Sequence, residues 1–414
     1  MKRNLLLSII VCLCLTFVGV QTAKPVSPKA PPSKEVFFLN RFKQIDNLMK
    51  QAVAQEDLPS AVCYVSYNGK PIYYKAFGHA DRELGKSLKK DAIFRNASQT
   101  KLLTTVALMT LYEKGLFSLE DPIKEFLPEF AHPMVYVSGS VSENNLVTRP
   151  AYGDITIRQL LSLTSGIGYD VYDQDLNFLN YTEQLTTEEV VKRIAKLPLR
   201  HDPGEGFTDG FSFDVAGRLA EVVSGMRLDS LIREAVLEPL EMNDTYFYLP
   251  LKKVNRLVPL YQKPEADLPA TSSTDSLSRF YPLAQNQLYF GGGAGLSGTI
   301  GDYAKLCEMI MNFGLIGKKT YLSWKTIEQM CSDQIFGVEG NFLFGLGLNI
   351  ATNEDFARTM RNPGSLSGGG EFETKFMIDP RNKLVVLLYT NKASWNKKED
   401  VWGDLLRIVY MSLK

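Results

Sequence analysis

The chain has 414 residues, 45% of them hydrophobic and 22% charged, and its 46 Lys and Arg balance 46 Asp and Glu. This is an ordinary globular composition, which excludes a disordered or fibrous chain, and without a basic excess it offers nucleic acid no electrostatic footprint. Past the first two dozen residues no apolar run approaches the ~20 needed to cross a bilayer, so no membrane span is expected in the mature chain.

In chain order, Lys2 and Arg3 precede the apolar run Leu5 to Val20, and Thr22 and Ala23 offer a cleavage point before Lys24. Residues 1–23 therefore read as an export signal, with the mature protein expected in the periplasm or outside the cell. Residues 24–36 hold four prolines and almost nothing apolar, as an extended tether does. A single domain is expected over 37–412. Its three cysteines, Cys63, Cys307 and Cys331, are too scattered for a disulfide framework or a zinc site.

Phe42, Ile45, Leu48, Met49, Ala52 and Val53 recur at helical spacing, and residues 61–78 read as two strands joined at Asn68-Gly69. At the far end, 342–350, 374–379 and 383–390 read as strands, with a turn at Asp379-Pro380-Arg381-Asn382, and 399–413 as a closing helix. The middle of the chain is mainly helical, including 102–114, 186–196, 213–224 and 228–237. Strand-rich ends around a helical middle predict an α+β architecture, one sheet built from both chain ends with a helical lobe inserted. The sheet lobe is expected over about 37–97 and 290–412, and the helical lobe over about 98–289.

Ser98 and Lys101 stand three residues apart at the head of a strongly apolar helix, so hydroxyl and amine share a face. A buried lysine can take a serine proton as a neutral amine, and the helix N-terminus offers N–H groups to an oxyanion. The same spacing at Ser87/Lys90 and Ser394/Lys397 opens no buried helix and reads as surface. Gly293 to Gly298 matches a dinucleotide-type glycine pattern but lacks a leading strand, so no cofactor is expected there. His79, His132 and His201 are scattered, which speaks against a metal site; of the three, only His201 is placed to approach residue 209. The sequons at Asn96, Asn180 and Asn243 read as chance matches.

The run FRNASQTK (94–101) and the stretch that follows it resemble the serine β-lactamase-related family of class C β-lactamases, DD-peptidases and esterases, whose first motif is S-x-x-K. LPSAVCYVSYNGK (58–70), ITIRQLLSLTSGI (155–167), PGEGFTDGFSFDVAGRLAEVVSG (203–225), GGGAGLSGTIGDYAKL (291–306) and TKFMIDP (374–380) resemble the same family in the same order. The resemblance implies that family's fold, an antiparallel sheet from both chain ends flanked by helices, and acyl transfer through an ester on Ser98. It also implies a small-molecule ester, or a peptide or cell-wall fragment, as ligand. Two motifs depart from the pattern. Asp209 stands where a Tyr acts with the lysine, and Phe211 where an Asn is usual. Gly368 stands where a Lys, His or Trp faces the nucleophile, which removes the cation that would hold a β-lactam or D-Ala-D-Ala carboxylate. Backbone N–H groups near Gly370 and Glu371 are left to form half of an oxyanion hole. Tyr169 or Tyr172 is a candidate replacement for the missing phenol. The departures leave three readings: a serine hydrolase using Ser98, Lys101 and Asp209, a degenerate relative that binds without turnover, and a working D-Ala-D-Ala peptidase or β-lactamase, which the loss of that cation disfavours.

Overall fold

The computed structural model describes residues 37–413 except 142, 170–183, 264, 266–268, 274–280, 284–286, 336 and 396–399. The expected export signal, the tether, Asn180 and Tyr172 lie outside the described residues.

Helix α1 (Lys43–Ala54) forms where the apolar period predicted it and buries Ile45, Met49 and Ala52. It leads into strands β1 (Ser60–Tyr67) and β2 (Lys70–Asp81). Asn68 and Gly69 both take positive φ, 49° and 72°, which matches the twist of a tight hairpin. A short edge strand β3 (Lys86–Ser87) follows, then helix α2 (Thr100–Glu113). Nearly every α2 side chain is buried, as expected for a helix apolar on all sides that runs through the core. Helix α3 (Ser212–Ser224) packs against α2, and α4 (Ile300–Met311), capped by Thr299, lies over the sheet.

The C-terminal third supplies β4 (Leu343–Phe344), β5 (Asn349–Ile350), β6 (Leu366–Gly370), β7 (Thr374–Asp379) and β8 (Leu384–Tyr389), then helix α5 (Val401–Met411). The eight strands form one antiparallel sheet in the order β4-β5-β6-β7-β8-β1-β2-β3, so both chain ends build it. β8 is buried along its whole length because α4 packs on one face while α1 and α5 pack together at the sheet. Phe37 bridges Leu413, bringing the two ends of the domain together.

One expectation is corrected. Residues 342–350 do not form one strand: the amides of Leu346 and Gly347 bond to the carbonyls of Met330 and Leu161, and Gly347 sits at φ 79°, so the run folds back as β4 and β5. The mainly helical middle stretch also carries a hairpin, Met134–Ser138 paired with Val147–Pro150. Among the described residues no helix is long and apolar enough to cross a membrane.

One ion-pair cluster on this frame predicts a pH response. Glu56, in the turn after α1, accepts from Lys263 Nζ (2.8 Å) and Arg82 Nη2 (2.6 Å). The Lys263 ammonium, then the Arg82 guanidinium, hold its carboxyl down to about 2 against an ordinary 4.5. The folded value is the lower one, so the contribution is complete above ~4.5 and is lost as pH falls through about 2. Glu56 keeps 21% of its side-chain surface accessible and Arg82 31%, so partial screening leaves ~1–2 kcal/mol of the ~3 kcal/mol that the shift alone implies. Glu56→Gln is therefore expected to flatten the acid-unfolding curve between pH 4.5 and 2, followed by circular dichroism.

Candidate active site

Ser98 sits where a clamped approach meets a buried helix. Arg95, itself buried, donates from Nε to Tyr281 O (2.6 Å) and from Nη1 to Val258 O (2.9 Å), and the Asn96 amide donates to Leu296 O (3.0 Å). Ala97 is forced to φ 45°, and a single 3-10 turn, Ala97–Gln99, then runs into α2. Asn96 is 1% exposed, so its sequon is closed to modification in the folded protein.

Lys101, one turn further on, is 5% exposed and is held between two oxygens. Its Nζ lies 3.1 Å from Ser98 Oγ and 2.8 Å from Asp209 Oδ1. Asp209 comes from the loop before α3, and its side chain keeps 53% of its surface accessible. Bonds between 163–164 and 204–208 fix that loop: Gly204 N–H to Thr164 O (2.8 Å) and Thr208 N–H to Leu163 O (2.8 Å). Ser165 and Ser212 join hydroxyls at 2.8 Å beneath it. The three residues singled out from sequence thus meet at one point, with one buried cation bridging the serine and a solvent-facing carboxylate.

The other candidates distribute around this point. Phe211 is buried and packs edge-on against Tyr169, with ring centroids 4.9 Å apart. Burial raises the Tyr169 phenol above its ordinary value, and the charges of Asp209, Asp214 and Glu371 raise it further, so this phenol is poorly suited to ionise. His201 has both ring nitrogens engaged locally, Nδ1 at 2.8 Å from Asp202 O and Nε2 at 2.9 Å from Thr208 Oγ1. It therefore braces the loop that carries Asp209 and is not turned onto Ser98. Asp214, wholly buried on α3, accepts from the Tyr289 hydroxyl at 2.6 Å, and burial pushes its carboxyl above the usual range.

β6 closes the site from the sheet side. A Cβ on Gly370 would lie 2.2 Å from the Asn96 carbonyl oxygen, so only glycine lets the strand end reach the segment that positions Ser98. Glu371 follows at the exposed rim. Gly368 pairs with Phe376 of β7, whose ring occupies the space a side chain at 368 would take: a Cβ there would meet it at 2.7 Å. The opening in front of Ser98 and Lys101 is a cleft of about 220 Å³ walled by Leu163, Phe207, Phe344 and Phe376. Two larger depressions, of about 350 and 510 Å³, contain neither Ser98 nor Lys101. The aromatic wall was not anticipated from sequence. Its one legible signal was Phe376 standing on a strand whose neighbour carries three successive glycines. Among the described residues no group of three His, Cys, Asp or Glu could hold a metal ion.

Comparison with known proteins agrees with this layout. The Beta-lactamase family model matches residues 45–410. Esterase EstB of Burkholderia gladioli is 29% identical over 385 residues, covering 84% of this chain and 90% of that protein. Monacolin J acid methylbutanoyltransferase of Aspergillus terreus is 28% identical over 400 residues, covering 88% of this chain and 93% of the other. Among solved structures, EstCE1, a hydrolase with promiscuous acyltransferase activity, superposes with a TM-score of 0.74 at 25% identity over 89% of this chain and 97% of its own.

Proposed function

The chain belongs to the Beta-lactamase family, and from that membership we propose that it is a serine hydrolase of small-molecule esters acting by acyl transfer, with Ser98 as nucleophile. The observation that carries the reading is the placement of Lys101 Nζ between Ser98 Oγ and Asp209 Oδ1. In the proposed acylation, Ser98 Oγ attacks the ester carbonyl and its proton passes to Lys101 as Lys101 passes one to Asp209. The developing oxyanion is met by N–H groups at Ser98 and Glu371. The ester C–O bond then breaks and the leaving alkoxide takes the proton back from the relay. Water or an alcohol, deprotonated by the same relay, releases the acyl group and regenerates Ser98. Relatives that are an esterase and an acyltransferase support this class of chemistry. The same proposal takes residues 1–23 as an export signal, 24–36 as a tether and 37–412 as the working domain.

A second reading, binding without turnover, is favoured by the same ion pair: a Lys101 held as an ammonium by Asp209 cannot accept the serine proton. Treatment with a fluorophosphonate separates the two. The hydrolase reading expects a single covalent adduct, found by intact mass and mapped to the peptide carrying Ser98. No adduct under conditions that label a working serine esterase selects the binding reading.

The acyl group is proposed to enter the apolar cleft walled by Leu163, Phe207, Phe344 and Phe376. Phe207→Trp, at a half-buried wall position, should narrow it, and loss of space for one or two methylenes is expected to lower kcat/KM for a hexanoate ester about 10-fold relative to the acetate. An unchanged ratio of the two would place the acyl group elsewhere.

A further inference from the structure

The hollow of about 510 Å³ at the far side of the sheet has its own chemistry. Five cations line it, Lys86, Lys89, Lys252, Lys253 and Arg256, against one carboxylate, Asp91. This is a local concentration in a chain whose formal charges cancel. The carboxylates within reach are already taken. Asp244 holds both Lys253 Nζ (2.7 Å) and Arg256 Nη1 (2.8 Å), and Asp91 lies 3.5 Å from Arg256 Nε. Lys89 and Lys252 are left exposed, with no carboxylate partner among the described residues.

The two walls are pinned to one another before any ligand arrives. The Ile93 amide donates to Arg256 O (2.9 Å), the Val258 amide to Ile93 O (3.0 Å), and Arg256 Nε to Asp91 O (3.0 Å). Lys86 Nζ reaches across to Asn255 O. Such preorganisation removes much of the ordering cost of binding. β3, which contributes Lys86 and Ser87, is the edge strand opposite the catalytic side. Five strand spacings, ~24 Å at ~4.8 Å each, separate β3 from β6, and the hollow shares no lining residue with the cleft at Ser98, so the two are separate openings.

We propose that this hollow is a binding site for a ligand carrying clustered phosphate groups. Cations on two facing walls of a hollow this size are too spread for one small anion, which favours several charged groups on one ligand. Lysine dominates, and the single arginine already spends its fork on Asp244 and the Asp91 carbonyl, so planar two-point capture of a carboxylate is not offered. Compact ammonium groups instead suit the dense charge of phosphate. The proposal does not depend on the chemistry assigned to Ser98.

The test is calorimetric titration of the full-length protein with inorganic tripolyphosphate, beside sedimentation with phosphatidylglycerol and with phosphatidylcholine vesicles. Both are repeated on Lys89→Glu/Lys252→Glu and on a control, Lys318→Glu/Lys319→Glu, that carries the same charge change on the hairpin at 315–320. The expected result is tripolyphosphate binding that weakens at least 10-fold in the first double variant, is unchanged in the control, and falls steeply as salt rises from 50 to 200 mM. Loss confined to phosphatidylglycerol vesicles would also support the site and assign the phosphate to a lipid headgroup. Binding absent from both arms, or weakened equally by the control, would overturn it. Unchanged thermal midpoints show that both variants fold.

Discussion

Ser98→Ala is expected to lower kcat for ester hydrolysis by about 10⁴- to 10⁶-fold while leaving KM within a few-fold of the parent. The size follows from what the substitution removes. The hydroxyl is the one oxygen next to Lys101 Nζ that can bond to an acyl carbon, since Asp209 on the other side is the proposed proton partner. The fold should be indifferent to the change. Ser98 is only partly buried, the Arg95 and Asn96 bonds that fix the turn are made by its neighbours, and Lys101 keeps Asp209. Equal thermal midpoints with collapsed turnover and collapsed fluorophosphonate labelling are the expected set of results. A variant that still hydrolyses esters at the parental rate would remove Ser98 from the mechanism.

How much of this could be read beforehand depended on whether side chains or backbone carried the information. The i, i+3 spacing of Ser98 and Lys101 on an apolar helix was enough to bring hydroxyl and amine together, because helix geometry is local. The Asn68-Gly69 hairpin, β7, β8 and the closing helix were legible for the same reason: their apolar periods and turn residues agree. β6 gave no such signal as Leu-Ser-Gly-Gly-Gly. It is a strand because β7 supplies partners and because Gly370 must pass against the Asn96 carbonyl, a contact made across 274 residues of chain. The run 342–350 misled in the opposite sense. Its apolar residues fit a strand, yet Gly345 and Gly347 let the backbone turn back and bond to the segments at Met330 and Leu161. The same long-range logic hid the aromatic wall of the cleft, where Phe207, Phe344 and Phe376 converge from three separate segments.

Asp209 is where the two functional readings part, and its variants should give the second large effect. As a relay, its carboxylate must take a proton from Lys101, which the amide of Asp209→Asn cannot do. Loss of a positioned proton acceptor is expected to cost about 10²- to 10⁴-fold in kcat. Stability should move much less. Lys101 is buried, so removing its partner leaves a charge short of compensation, but Asp209 is half-exposed and water can replace part of the interaction. A loss of ~1 kcal/mol or less is expected, well below that for a fully buried pair. The retained amide oxygen of Asn can still accept from Lys101, so a fall in kcat without a fall in thermal midpoint isolates the proton step. The opposite result is equally informative. If Asp209→Asn, or Asp209→Tyr, which restores the phenol usual at this position, labelled faster with the fluorophosphonate than the parent, then Asp209 would be holding Lys101 as an ammonium and suppressing Ser98. The Lys101–Asp209 bond would then be the feature that turned a family hydrolase into a binding protein.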